Sequence, residues 1–323
     1  MHSSSEVTPI IHVLDYDDKV IHEHHSYQTR TQTSQLIQIT GKCSEEVLSA
    51  IQKDYAFDHT VFEDILNQKQ RNKFEVKEDH LFATFHYDEI INEEIKPNYL
   101  SLLLYKEAVI LFHKTPTSLS GDLVELLTKN GQAREKALDY IFYFVLDWMT
   151  DHHLDVFKHL FAQAISYEEA LLENQSLNQE ALYLIRKKLL RLKVNIEPIY
   201  EDFEKTLIHA KHLISTDHQL YYDDVKDHLL RLLSQLNEAR EMIRHLLDLN
   251  LNNQSQKMNR IMTTLTLFSA IFIPLSFLTG FFGMNFVHFE LLEYEHALIG
   301  FILGCVFLAL GMVFLFKKMR WFD

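Results

Sequence analysis

MNRIMTTLTLFSAIFIPLSFLTGFFGMNF, residues 258–286, holds no Asp, Glu, Lys, Arg or His beyond Arg260. The charge-free run extends to Val287. Its core, residues 261–282, is long enough to cross a hydrocarbon layer of ~30 Å. A second apolar run, ALIGFILGCVFLALGMVFLF (297–316), is also of span length. Only GMNFVHFELLEYEH (283–296) separates the two. Two spans and a short loop predict a membrane hairpin. The alternative is a soluble protein with two buried core helices.

The basic residues predict the orientation. Lys257 and Arg260 precede the first run, and Lys317, Lys318 and Arg320 follow the second. The loop has no Lys or Arg and carries Glu290, Glu293 and Glu295. Basic residues favour the cytoplasmic side, so both termini are expected inside a prokaryotic cell membrane, with the loop outside.

The rest of the chain is of a different character. Of 323 residues, 47% are hydrophobic, yet only 8 are Gly and 5 are Pro, which favours long helices over turn-rich β architecture. The net charge is −14, which argues against a nucleic-acid partner. In residues 260–323 four basic and four acidic residues cancel, so the whole excess belongs to 1–259. An acidic body concentrates cations around it. Cys43 and Cys305 lie in polar and apolar surroundings respectively, so no intramolecular disulfide is expected. MHSSSEVTPIIHVLDYDD lacks both a basic-plus-apolar signal and an arginine-rich transit pattern.

Residues 34–113 read as mixed α/β. QLIQIT (35–40), KFEV and LFATFHY (within 73–87) and YLSLLLYKEAVILFHK (99–114) have strand character. CSEEVLSAIQK (43–53) and HTVFEDILNQ (59–68) look helical. Beyond Thr117 the pattern is helical: Ser118–Asn130, ended by Gly131; Ala133–Asn174, with Leu138, Ile141, Val145 and Trp148 at 3–4 spacing; and Asn178–Ser215, with Pro198 inside. A fourth helix begins near Gln219, with Leu220, Val225, Leu229, Leu232, Leu236 and Ile243 in its stripe. Nothing separates it from the first span, so one helix from about Tyr222 to Phe282 is expected. It needs bundle neighbours and other copies of itself. The domains are thus placed at 1–116 (α/β), 117–259 (helical stalk) and 260–323 (membrane hairpin).

Along the first span Asn259, Met262, Thr266, Ser269, Ile273, Ser276 and Gly280 recur at alternating intervals of three and four. That is one helix seam. By itself it fits a packing interface as well as a pore wall shared by several copies.

The stretch 258–286 resembles the first membrane helix of CorA-type magnesium transport proteins. The likeness rests on Met258-Asn259, Leu265-Thr266, Pro274-Leu275, Gly280 and the tripeptide Gly283-Met284-Asn285, followed by one more span and a basic tail. FEDILNQKQRNKFE (62–75), YYDDVKDHL (221–229) and HLLDLNLNNQSQKMN (245–259) resemble the family's α/β block and stalk. The resemblance implies an α+β cytoplasmic domain, a long-helix stalk and two transmembrane helices, mostly α, in a funnel-shaped homopentamer within the lipid membrane. It implies passive uptake of Mg²⁺ and Co²⁺.

It also implies roles. Gly283, Met284 and Asn285 would form a selectivity filter, with five Asn285 amides presenting acceptor oxygens to a hydrated ion; Mg²⁺ sheds water reluctantly, and a neutral oxygen lets it leave. Here Gly283 permits the turn. As a residue by itself, Asn285 fits a helix C-cap equally well. Asn259, Met262, Leu265, Ser269, Ile273 and Ser276 would line the pore, with Met262, Leu265 and Ile273 as an apolar constriction. Many relatives carry Met where Ile273 stands. Asp64 and Asp248 would share regulatory Mg²⁺ across subunits, with Asp224 nearby, so that the bound ion holds the assembly shut. Glu290, Glu293 and Glu295 would attract cations outside, although relatives often have a Pro-containing acidic segment there.

HEHH (22–25) and DHHLD (151–155), among nineteen His, suit zinc, cobalt or nickel or are plain polar surface. A zinc transporter of the same superfamily is therefore the second reading, and a non-conducting membrane-anchored coiled-coil sensor or scaffold the third. An enzyme is not expected: no Ser-His-Asp context, zinc-protease motif or phosphate-cradling loop is present, and no nucleotide partner is implied.

Overall fold

The computed structural model describes residues 9–67, 71–173, 179–284 and 296–319. Asn285, Glu290, Glu293 and Glu295 lie outside the described residues. The chain divides into two compact units, 1–246 and 247–323.

The first unit is built on seven strands: β1 (Ile10–Tyr16), β2 (Ile21–His24), β3 (Ser34–Thr40), β4 (Lys73–Val76), β5 (Leu81–Ile91), β6 (Glu94–Leu104) and β7 (Ala108–His113). They form one sheet in the order β2-β1-β3-β7-β6-β5-β4. β3 and β7 pair in parallel and every other pair is antiparallel. The sheet begins well before residue 34, where the sequence reading starts it.

Strand alternation divides the side chains between two faces. Val13, Ile37, Ile39, Phe82, Leu103 and Ile110 meet α1 (Glu45–Tyr55) and α2 (His59–Leu66) through Leu48, Ile51, Val61 and Ile65. Ser44 caps α1, its hydroxyl accepting from the Val47 N–H at 3.3 Å. The other face receives α3 (Ser118–Lys129) and α5 (Asp139–Leu172). Gln38 donates to the Ser120 carbonyl at 3.2 Å, and Tyr87 meets Trp148 edge to face at 5.5 Å.

Two helix boundaries move from those expected. Gly131 opens the short α4 (Gly131–Arg134) rather than closing α3, and α5 starts at Asp139, not Ala133. Leu138, Ile141, Val145 and Trp148 are buried as the spacing predicts. α6 (Gln179–His209) carries Pro198 internally. α7 runs unbroken from Gln219 to Phe282, with Pro274 inside. Its first-unit stripe is buried at Val225, Leu229, Leu232, Leu236 and Ile243, whereas Leu220 is exposed.

The start of α7 is fixed by α5. The buried Asp139 carboxylate accepts from the Ser215 N–H at 3.0 Å and lies 2.9 Å from His218 Nδ1. Tyr222 donates to the Asp139 carbonyl at 2.7 Å. Lys226 pairs with Glu204, and Lys193 reaches Asn237 at 3.2 Å, tying α7 to α6.

In the second unit the rest of α7 meets α8 (Ala297–Lys318) where the Phe282 and Phe301 rings stand 5.0 Å apart. Both helices are long and apolar enough to cross a membrane. Only 6% and 0% of their most apolar stretches are buried within the chain, unlike the core helices of a soluble fold.

Candidate functional site: a helix seam and three acidic positions

Within the second unit, Asn259, Met262, Leu265, Ile273 and Ser276 are exposed and Ser269 is half-buried. Asn259, Met262, Thr263 and Thr266 border an open groove of ≈ 450 Å³. Along this part of the helix the hydroxyls turn back on the backbone. Thr264 donates to the Arg260 carbonyl at 2.9 Å, Thr266 to Met262 at 2.8 Å and Thr279 to Ser276 at 3.0 Å. Such bonds satisfy a hydroxyl where no water is at hand and leave its methyl facing outward.

The end of α7 explains Gly283 on steric grounds. Its N–H donates to the Thr279 carbonyl at 2.9 Å. A Cβ at this position would stand 2.9 Å from that same oxygen, closer than side chains tolerate. Positive φ is not involved, since among the described glycines only Gly41 has it. Met284 is exposed beside it.

The acidic positions have distinct surroundings. Asp64 on α2 is buried, and its carboxylate accepts from Lys73 Nζ at 2.5 Å. Lys73 also reaches Glu75 at 2.6 Å. These groups border an open hollow of ≈ 590 Å³ with Thr60, Glu63 and Lys77. Burial works against the lysine's charge, but its hydrogen bonds to Asp64 and Glu75 outweigh that and hold its pKa above the ordinary value. Asp64 thus already has a cation of its own.

Asp224 is exposed on α7, one turn before His228, with 3.8 Å between carboxylate and imidazole. Asp147 of α5 joins them, all three offering ligand atoms within 4.8 Å of one another. Desolvation, then the charge of Asp151, raises the Asp147 pKa; His228 opposes this and Asp224 adds to it. Tyr143 alongside is pushed up to about 12, by desolvation first and Asp147 second. Sequence reasoning missed Asp147 and His228. The i, i+4 spacing of Asp224 and His228 was the available signal. Asp248, in the second unit, is exposed on α7.

DHHLD does not converge. His152 stacks on Trp148 with ring centroids 3.7 Å apart and bonds its carbonyl at 2.8 Å. His153 is fully buried, and desolvation pushes its pKa down to about 3. It is a neutral core residue.

Comparison with known proteins bears on the fold and the family. The cobalt/magnesium transport protein CorA of Thermotoga maritima is 28% identical over 292 residues, covering 88% of this chain and 82% of its own. The zinc transport protein ZntB of Yersinia enterocolitica is 25% identical over 177 residues, covering 55% of this chain and 54% of its own. The complete CorA magnesium transporter structure from Methanocaldococcus jannaschii superposes with a TM-score of 0.77 at 18% identity, covering 98% and 99% of the two chains, and so shares the fold. A sequence model described as "CorA-like Mg2+ transporter protein" matches residues 42–318. A seven-stranded α/β body, a helix running on into an apolar span and a second apolar helix are therefore parts of a metal-ion transporter and not of an enzyme: the chain belongs to the CorA-like Mg²⁺ transporter family.

Proposed function

We propose that the chain passes Mg²⁺, and Co²⁺, passively across a cell membrane as a homopentamer, with both termini in the cytoplasm. The observation that carries this reading is the largely exposed seam from Asn259 to Ser276, which mixes apolar and small polar residues and leads to a glycine whose Cβ would clash with the Thr279 oxygen. Five such seams about an axis make a narrow wall. Met262, Leu265 and Ile273 supply its dry constriction, and Gly283, Met284 and Asn285 its outer mouth. The driving force is the membrane potential: a divalent ion crossing ~100 mV gains roughly 4–5 kcal/mol.

Intracellular Mg²⁺ regulates the channel through Asp64, Asp224 and Asp248. Carboxylates of adjacent subunits repel unless a cation bridges them, so the ion favours the closed assembly. The outer Glu290, Glu293 and Glu295 raise the local cation concentration.

The test is uptake into proteoliposomes, Mg²⁺ against Zn²⁺, with Asn285→Ala alongside. Mg²⁺ flux that is abolished or made unselective by Asn285→Ala supports the proposal. Zinc flux without magnesium flux reverses it in favour of the second reading, zinc transport, which the similarity to a zinc transport protein favours. Dimers or trimers by native mass measurement would favour the scaffold reading.

A further inference from the structure

The four residues of HEHH do not act together, because strand alternation splits them. In the β1–β2 hairpin Leu14 stands opposite Glu23 and Val13 opposite His24. Continuing the register by one residue sets His12 opposite His25. Successive side chains point to opposite faces, so His12, Glu23 and His25 share one face while His22 and His24 take the other.

The side chains meet as this register requires. His12 Nε2 lies 2.6 Å from Glu23 Oε1. The His12 and His25 rings stack at 5.5 Å with 18° between their planes. All three residues offer a ligand atom within 4.8 Å of the others. We propose that His12, Glu23 and His25 form a binding site for a divalent transition-metal ion of the zinc, cobalt or nickel kind.

The donor set decides the class of ion. Two imidazoles and one carboxylate suit zinc and its neighbours; Mg²⁺ and Ca²⁺ prefer an all-oxygen shell. A tetrahedral ion with bonds of about 2.0–2.1 Å needs ligand atoms roughly 3.3 Å apart, so small rotations of exposed side chains complete the set. Three protein ligands leave one position for water or an exchanging ligand. The rigid side of the site is His12, whose side chain is 20% exposed against 50% for Glu23. It sits in the middle of a strand paired on both edges.

Two further observations point the same way. Among the described residues Glu23 pairs with no Lys or Arg, so unlike Asp64 it holds no resident ammonium or guanidinium. On the far side of His12, its cross-strand partner Gln38 is 2% exposed, and the Gln38 Oε1 has no hydrogen-bond partner. That unsatisfied acceptor belongs to the residue paired with His12 in the sheet. The site is independent of which ion crosses the membrane.

The experiment is Zn²⁺ titration of the full-length protein in detergent by calorimetry, with excess Mg²⁺ present to occupy oxygen-only sites. The expected result is one Zn²⁺ per chain at this site, counted in an Asp224→Asn background that removes a ligand from the Asp147–Asp224–His228 cluster. His25→Ala and His12→Ala weaken it at least roughly tenfold, Glu23→Gln weakens it by less, and His24→Ala leaves it unchanged. His25 and Glu23 are exposed, so equal melting temperatures for His25→Ala, Glu23→Gln and the parent keep the comparison free of misfolding even where His12→Ala disturbs β1. Absence of Zn²⁺ uptake under excess Mg²⁺, or equal loss in His24→Ala and His25→Ala, overturns the assignment.

Discussion

Asp64 and Asp224 lie in the same unit, yet their surroundings are opposites. Asp64 is buried and already neutralised by Lys73, which Glu75 also holds. Asp224 is exposed and faces a second carboxylate, Asp147, with the His228 imidazole beside them. Sequence reasoning treats the two aspartates as one kind of site. The contrast teaches that a divalent ion at Asp64 competes with an internal ammonium, whereas at Asp147–Asp224 it relieves a repulsion. On the proposed regulation, the first would be a site of exchange and the second a site of simple addition.

The largest expected effect tests the first half of that contrast. Lys73→Met leaves Asp64 and Glu75 without their cation, and stripping one partner from a largely buried pair costs about 3 kcal/mol. The loss should shrink on adding Mg²⁺, read as a magnesium-dependent recovery of melting temperature greater than the parent shows. A loss that Mg²⁺ does not touch breaks the idea that the ion and Lys73 compete.

Mild acid probes the unit that holds both sites. Burial depresses His113 to about 4 and His153 to about 3, against an unfolded value near 6.5. The unfolded chain therefore binds more protons between these values, and stability falls as pH drops from about 6.5 toward 4. Each histidine accounts for about 2 kcal/mol between pH 7 and pH 5. Asp147 works the other way: its raised pKa lets it take a proton in the folded state and relieves the repulsion. Chemical denaturation at the two pH values should show net destabilisation, reduced in a His153→Leu variant. A rise in stability toward pH 5 would mean that the carboxylates whose pKa is raised by desolvation, Asp88, Asp139 and Asp147, outweigh the histidines.

The smallest effect belongs to Asp147→Asn. It should raise metal-free stability by less than about 1 kcal/mol, because the group is half-exposed and screened. It should also reduce the stabilisation that Mg²⁺ gives. Denaturation with and without Mg²⁺ measures both, and a variant that keeps the full Mg²⁺ response shows that the ion acts elsewhere.

What could be read directly from the sequence was local or periodic. The charge-free run at 261–287 and the unbroken stripe from Val225 onward place α7, and QLIQIT places β3, because each pattern depends only on near neighbours. The hairpin IIHVLDY–IHEH escaped notice. Neither IIHVLDY nor IHEH shows the period-two alternation that marks a strand, and by residue type the first reads only as an N-terminus without a targeting signal and HEHH only as candidate metal ligands. Lys73 beside Asp64 and Asp147 beside Asp224 are nine and seventy-seven residues apart in sequence. Only the packing of α2 on the sheet and of α5 beside α7 brings them together. Gly283 was noted as a turn former, but its reason is the approach of the Thr279 oxygen, which no spacing rule contains.

The sheet ends in two strands of four residues, β2 and β4, each with ionisable side chains at successive or alternate positions: His22, Glu23 and His24 at one end, Lys73 and Glu75 at the other. Brief, charged margins deter backbone-to-backbone zippering between molecules. If copies of the chain gather on one bilayer as proposed, such margins disfavour sheet-to-sheet pairing between them.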